Sequence, residues 1–136
     1  MKAPDAYRLL ESVPVATLAT LRADGSPHMV PIVFAITGDR IITAIDGKPK
    51  RARIPERVVN IEANPRVCVL AHHYEDDWSQ LWWVRVDGSA RMLSRGIEFL
   101  EAIAVLRRRY SQYGETPLVG PAIIIVPERV VGWSAV

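Results

Sequence analysis

Three apolar runs follow one another early in the chain, Val15–Leu21, His28–Ile36 and Arg40–Ile45, and the links between them are very short. Ala23-Asp24-Gly25-Ser26 joins the first two and Gly38-Asp39 joins the second and third. A parallel pair of strands needs a crossover of about a dozen residues or more, whereas links this short close antiparallel hairpins. Threonines alternate with Val15, Leu18 and Leu21, a pattern that suits half-buried strands rather than helix. The chain is therefore predicted to open as an antiparallel meander. Pro31 interrupts the second run. Proline has no amide to give to a ladder, so it marks a strand edge, a bulge or an opening, and an opening lets a planar ligand meet backbone.

The remaining elements extend this pattern. Residues 5–12 suit a short helix closed by Pro14, and PERVVNIEA a second one, with Pro55 at its first position and Asn64-Pro65 as its stop. RVCVLAHHY and QLWWVRVDGSARML read as two long strands. Asp87-Gly88 in the latter is compatible both with a hairpin and with a glycine bulge in one bent strand. Ser94 is predicted to cap the longest helix, whose Ile97, Leu100, Ile103, Ala104, Leu106 and Tyr110 recur at helical spacing. AIIIV, a Pro127-Glu128-Arg129 turn and VVGWSA read as two short strands. Strands without a βαβ rhythm predict a mainly β fold, a small antiparallel barrel with a few flanking helices, and 136 residues predict one domain spanning 1–136.

Charge narrows the function. With 17 Lys and Arg against 15 Asp and Glu, the balance is too even to make nucleic acid the main partner. The cations are instead local. The strand ending at Ile45 runs into a loop carrying Lys48, Lys50, Arg51 and Arg53, after which Pro55 opens a helix with Arg57 in its first turn. Strand, cationic loop and helix start form a grip for a phosphate, because amides and guanidinium groups converge on one anion. Arg107–Arg109 ends the long helix, where cations favour the dipole, and no function is assigned to it.

Several chemistries are not expected. Cys68 is the sole cysteine, which excludes an intrachain disulfide, and within RVCVLA it reads as a small core residue. His72 and His73 are adjacent and diverge on a strand, so no metal site is predicted with Glu75, Asp76 and Asp77. No Ser/His/Asp or Cys/His set stands at a suggestive spacing, so no catalytic side chain is assigned, as fits a protein whose cofactor carries the chemistry. The first residues lack an apolar signal core and no apolar run approaches the roughly 20 residues of a membrane helix; a cytoplasmic protein with no membrane association is expected. Trp82 and Trp83 must face opposite sides of a strand, placing at least one in the core or an interface.

Four stretches in order, VATLATLRADGSPHMVPIVFAI, ERVVNIEANPRVCVL, VRVDGSARML and VPERVVGW, resemble the pyridoxamine-phosphate-oxidase-like family of flavin- and deazaflavin-binding split β-barrels. The compact length, the HYEDDWSQLWWVRVDG stretch and the terminal Gly-Trp resemble its F420-dependent subgroup. The resemblance implies a six-stranded antiparallel split barrel that forms a homodimer with cofactor sites at the subunit interface. Pro31, Ile32 and Val33 would lie along the cofactor ring, while Thr43 and Ile45 of the third strand, with Lys48, Lys50, Arg51 and Arg57, would anchor its phosphate and tail. Trp78, Gln80 and Trp83 would border the site from the other subunit. Counted back from Asn64-Pro65-Arg66, Arg57 matches the family's basic phosphate-binding position. The additional cations at 48–51 depart from the FMN oxidases and suit a cofactor with a longer anionic tail. The implied activity is an F420-dependent oxidoreductase passing hydride to or from a small-molecule substrate, with an FMN-dependent oxidase or reductase, or a binding protein without turnover, as alternatives.

Overall fold

The computed structural model describes residues 1–46, 54–116 and 118–136, and of residue 119 the backbone only. Among the described residues the element order is α1 (Ala3–Glu11), β1 (Val15–Leu21), β2 (Pro27–Val33), β3 (Ala35–Thr37), β4 (Arg40–Asp46), α2 (Glu56–Ala63), β5 (Arg66–His73), β6 (Trp82–Leu93), α3 (Ile97–Arg109) and β7 (Leu118–Ser134). One antiparallel sheet runs β2-β1-β5-β6-β7-β4-β3. Its two edge strands are consecutive in sequence, so the sheet curls until its ends meet at Phe34, giving a split barrel.

The sheet has seven strands among the described residues, against the six that the resemblance implied. The run containing Pro31 is not one strand, because Phe34 belongs to neither the β1–β2 nor the β3–β4 ladder. Two expected terminal strands are instead one: β7 continues through Pro127–Arg129 because a register shift opposite Asp87/Gly88 absorbs the irregularity. Asp87-Gly88 accordingly sits inside one strand rather than at a hairpin. A Cβ at Gly88 would collide with the Val126 carbonyl, so the bulge requires glycine. Ser94 does not cap α3; Gly96 precedes it with φ 95°, a conformation that favours glycine.

Burial explains which strands alternate and which are apolar throughout. β1 and β5 alternate because one face points into the barrel, where Leu18, Val69, Val84, Val86, Ile123 and Ile125 form the core. β4 and the first half of β7 are covered on both faces. Ile41 and Ile45 point into the barrel, while Ile42, Ala44, Ala122 and Ile124 lie under Ala102, Ile103 and Leu106 of α3. Ile97, Leu100 and Ala104, which recur at the same helical spacing, are exposed. α1 adds Ala6 and Leu10 to the barrel core, and the Tyr7 hydroxyl donates to the Asp39 carbonyl at 2.7 Å.

The end of α3 seals the split. The Phe34 amide donates to the Tyr110 hydroxyl at 3.1 Å, and the Phe34 carbonyl accepts from Tyr110 at 2.8 Å and from Arg109 Nη1 at 2.5 Å. Arg109 Nη2 also donates to the carbonyls of Glu11 and Val13, and its guanidinium stacks 4.6 Å from the Phe34 ring centroid. A charged donor shared by three backbone oxygens is worth more than a neutral one, and its removal takes a partner from the Glu11 and Val13 carbonyls and leaves that of Phe34 to Tyr110. Arg109→Ala is expected to lower unfolding free energy by about 2–3 kcal/mol, with Arg109→Lys recovering only part because an ammonium cannot span the three acceptors. Urea denaturation of the three proteins measures this; an unchanged midpoint for Arg109→Ala would show that the seal carries no stability.

Candidate functional site

The register of the ladders assembles a surface that no single strand reveals. On the outer face of the sheet, Pro31 of β2 stands beside Thr17 of β1, then Leu70 of β5, Arg85 of β6 and Val131 of β7. The neighbouring rows hold Met29, Ala19, Cys68 and Asp87, and His72, Trp83 and Trp133. No described element of the chain packs over these rows as α3 packs over β4 and β7. Large apolar side chains consequently reach solvent: Met29 is 59% exposed, Val15 49% and Trp133 46%. A contiguous face of this kind marks a binding or assembly surface. Arg85 lies 5.9 Å from the Trp83 ring centroid, which holds the indole against the sheet.

A cavity of about 220 Å³ opens on this face among Ala19, Leu21, Pro27, Arg66, Cys68 and Asp87. The Cys68 thiol donates to Asp87 Oδ1 at 3.2 Å, and burial together with the Asp87 carboxylate pushes its pKa up to about 11. Burial and the neighbouring carboxylate thus disfavour the Cys68 thiolate.

A cation stands at the corner where β4 ends. α2 is locked to β1 by a buried bond from Asn60 Nδ2 to Thr20 Oγ1 at 3.0 Å, with Val58 and Ile61 in the barrel core. At its first turn, Glu56 accepts from Arg22 Nε at 2.6 Å, and His28 Nε2 lies 3.3 Å from the same carboxylate. Arg57 follows on this fixed helix. The half-buried Tyr113 phenol senses the corner: burial raises its pKa most, Asp46 and Tyr110 raise it further, and Arg57 lowers it. Arg57, Asp46 and Tyr113 therefore share one electrostatic environment.

The residues named from the sequence fall into three groups. Pro31 and Val33 face outward on β2, and Trp83 lies on the same face of the sheet. Trp78, 67% exposed, and Gln80 sit on the loop joining β5 to β6, where Asp77 Oδ1 accepts from the Ser79 amide and hydroxyl. Ile32, Thr43 and Ile45 face inward, and each is at least 95% buried. Strand periodicity forces this: adjacent residues cannot both meet a ligand on the outer face. The Thr43 hydroxyl is spent on the Val33 carbonyl at 2.8 Å, so its role is to brace the split. Lys48, Lys50, Arg51 and Arg53 lie outside the described residues. Sequence reasoning missed Tyr113, Asp46 and Trp133. The last was signalled only by its register partner Trp83, a pairing that needs the ladder to be known.

Residues 4–133 match the pyridoxamine 5′-phosphate oxidase family. No curated protein matches the chain at a significant level. Among solved structures, a conserved hypothetical protein of Mycobacterium tuberculosis is similar at 20% identity and a TM-score of 0.79, over 99% of this chain and 86% of that one. An FAD-binding protein of Mycobacterium smegmatis is similar at 21% identity and 0.68, over 98% and 94%. A haem storage protein of Vibrio cholerae is similar at 18% and 0.73, over 97% and 93%. At such identities these likenesses establish the fold alone.

Because Arg57 holds the Tyr113 pKa down, removing its charge is expected to raise that pKa further. Ultraviolet difference titration of wild type and Arg57→Ala, each read against its Tyr113→Phe counterpart, isolates the phenol. A Tyr113 titration unmoved or shifted downward by Arg57→Ala would contradict the shared corner.

Proposed function

The chain belongs to the pyridoxamine 5′-phosphate oxidase family, and we propose that it acts as a homodimeric oxidoreductase that binds the deazaflavin F420 and exchanges hydride with a small-molecule substrate. The observation that carries this reading is the uncovered outer sheet face, apolar along Met29, Pro31 and Val33, on a barrel that also presents Arg57 at the start of α2. A flat apolar surface and a cation on a rigid helix suit a planar ring with an anionic tail. Residues of β2 would support the ring, and Arg57 would hold the phosphate.

A second copy completes the site in this reading. Its sheet face would cover the apolar rows, and Trp83 and Trp78 would exclude water from the ring. When bound, the deazaflavin supplies the hydride chemistry. The chain's own contribution is binding, orientation and dryness.

F420 is preferred to FMN on one sequence observation. Lys48, Lys50 and Arg51 add three cations in the ten residues that end at Arg57 in the sequence, more than a single phosphate requires and suited to a polyanionic tail. The likeness to an FAD-binding protein favours a second reading, a flavin-binding oxidase or reductase on the same face.

Titration with F420 and with FMN separates the two. F420 is expected to bind more tightly, and Arg57→Ala to weaken it by about 1.5–3 kcal/mol, roughly 10- to 150-fold. Tight FMN binding with no F420 binding would overturn the preferred cofactor, and unchanged affinity in Arg57→Ala would place the phosphate elsewhere. Consumption of reduced F420 with a panel of quinones, enones and tetrapyrroles is the expected sign of turnover; no consumption with any of them would favour a binding protein.

A further inference from the structure

The outer sheet face carries cations as well as apolar rows. Among the arginines on the strands, Arg40, Arg85 and Arg91 meet the carboxylates of Asp39, Asp87 and Glu98 at 3.2, 3.3 and 2.5 Å. Arg66 and Arg129 meet no carboxylate among the described residues. Register fixes where Arg66 stands. Arg66 and Cys68 both point outward on β5, and their partners on β6 are Ser89 and Asp87. Arg66 and Asp87 are thus diagonal neighbours on one face, about 7–8 Å apart. Between them opens the cavity of about 220 Å³, walled by Ala19, Leu21 and Pro27. The one anion at its edge is already engaged: Asp87 Oδ1 accepts from the Cys68 thiol at 3.2 Å and lies 3.3 Å from Arg85 Nε.

We propose that this hollow is a carboxylate subsite that takes a short-chain carboxylic acid, with the carboxylate on the Arg66 guanidinium and the chain against Ala19, Leu21 and Pro27. A guanidinium fork matches a carboxylate through two parallel N–H bonds, and an arginine without a carboxylate of its own has that fork to offer. Apolar walls exclude water from one side of the pair, which strengthens it relative to an open surface. Asp87 opposes an anion here, and Arg85 beside it offsets that charge. At about 220 Å³ the hollow is smaller than the roughly 300–1,000 Å³ of sites for drug-sized ligands, so an acid of a few carbons suits it better than a ring system.

The subsite lies beside the surface assigned to the cofactor ring and not beneath it. Pro27 and Pro31 point to the same side of β2, and four residues of strand separate them by about 13 Å. A ring lying along Pro31 and Val33 and an acid held beside Pro27 can therefore be bound together. That the acid is the partner in hydride exchange rests on the function proposed above; the subsite itself does not.

Amide NMR of the full chain titrated with propionate, without cofactor, tests it. Propionate is expected to shift the amides of Val67 and Cys68 and the Arg66 Nε–H saturably, while propionamide, its neutral counterpart, leaves them unmoved. Arg66→Met should weaken propionate by about tenfold or more, whereas Arg129→Met, which removes the same charge from the same sheet outside the hollow, should change it little. Asp87→Asn should tighten it, because the opposing charge is gone. Equal shifts with propionamide, equal losses in the two arginine variants, or the absence of a saturable shift would each overturn the proposal. Repeating the titration with F420 present keeps the two readings apart. The propionate shifts should persist; their displacement would overturn the assignment to a small acid, since carboxylates of the cofactor would then hold Arg66. Propionate binding with no F420 binding would leave the subsite standing and defeat the cofactor alone.

Discussion

A barrel whose sheet has two free ends must deal with the backbone where those ends meet, and here that backbone is the peptide of Phe34. It pairs in neither adjacent ladder. Buried amides and carbonyls without partners cost free energy comparable to a lost hydrogen bond, so the fold depends on something filling these positions. Tyr110 takes the amide and shares the carbonyl with Arg109, while Thr43 takes the carbonyl of Val33 from within the barrel. The same guanidinium holds the carbonyls of Glu11 and Val13, so one side chain at the end of α3 ties together the exit of α1, the split and the helix that covers β4 and β7.

This seal also determines what remains open. With α3 laid over β4 and the start of β7, the opposite side of the curled sheet keeps an apolar outer face that the described chain does not cover. Pro31 belongs to that face by the alternation of β2, which as an edge strand tolerates a residue without an amide. The candidate site is thus a consequence of the topology. One helix covers one side, and the other side is left uncovered among the described residues.

Much of this was legible from the residues. Short turns dictated the antiparallel opening, and the threonines between Val15, Leu18 and Leu21 marked β1 as a strand. The break at Phe34 was not legible, since HMVPIVFAI is strand-like throughout and only the curvature of the whole sheet separates its halves. Arg109 read as one of three dipole-stabilising cations because its acceptors lie more than 70 residues away in sequence. At the site, outward-facing Pro31, Val33 and Trp83 followed from period two once one residue of each strand was placed. Naming Ile32, Thr43 and Ile45 beside them ignored the same periodicity. Helical spacing grouped Ile97, Leu100 and Ala104 with Ile103 and Leu106, but spacing identifies a helix without saying which of its residues are covered.

The central claim is that the uncovered sheet face becomes a deazaflavin site when a second copy closes over it. Native mass spectrometry of the wild type and of Met29→Asp, each with added F420, tests that claim most directly. The account predicts a wild-type dimer carrying two cofactors and a monomeric variant carrying none. A monomer that binds F420 as tightly as the wild type would contradict it.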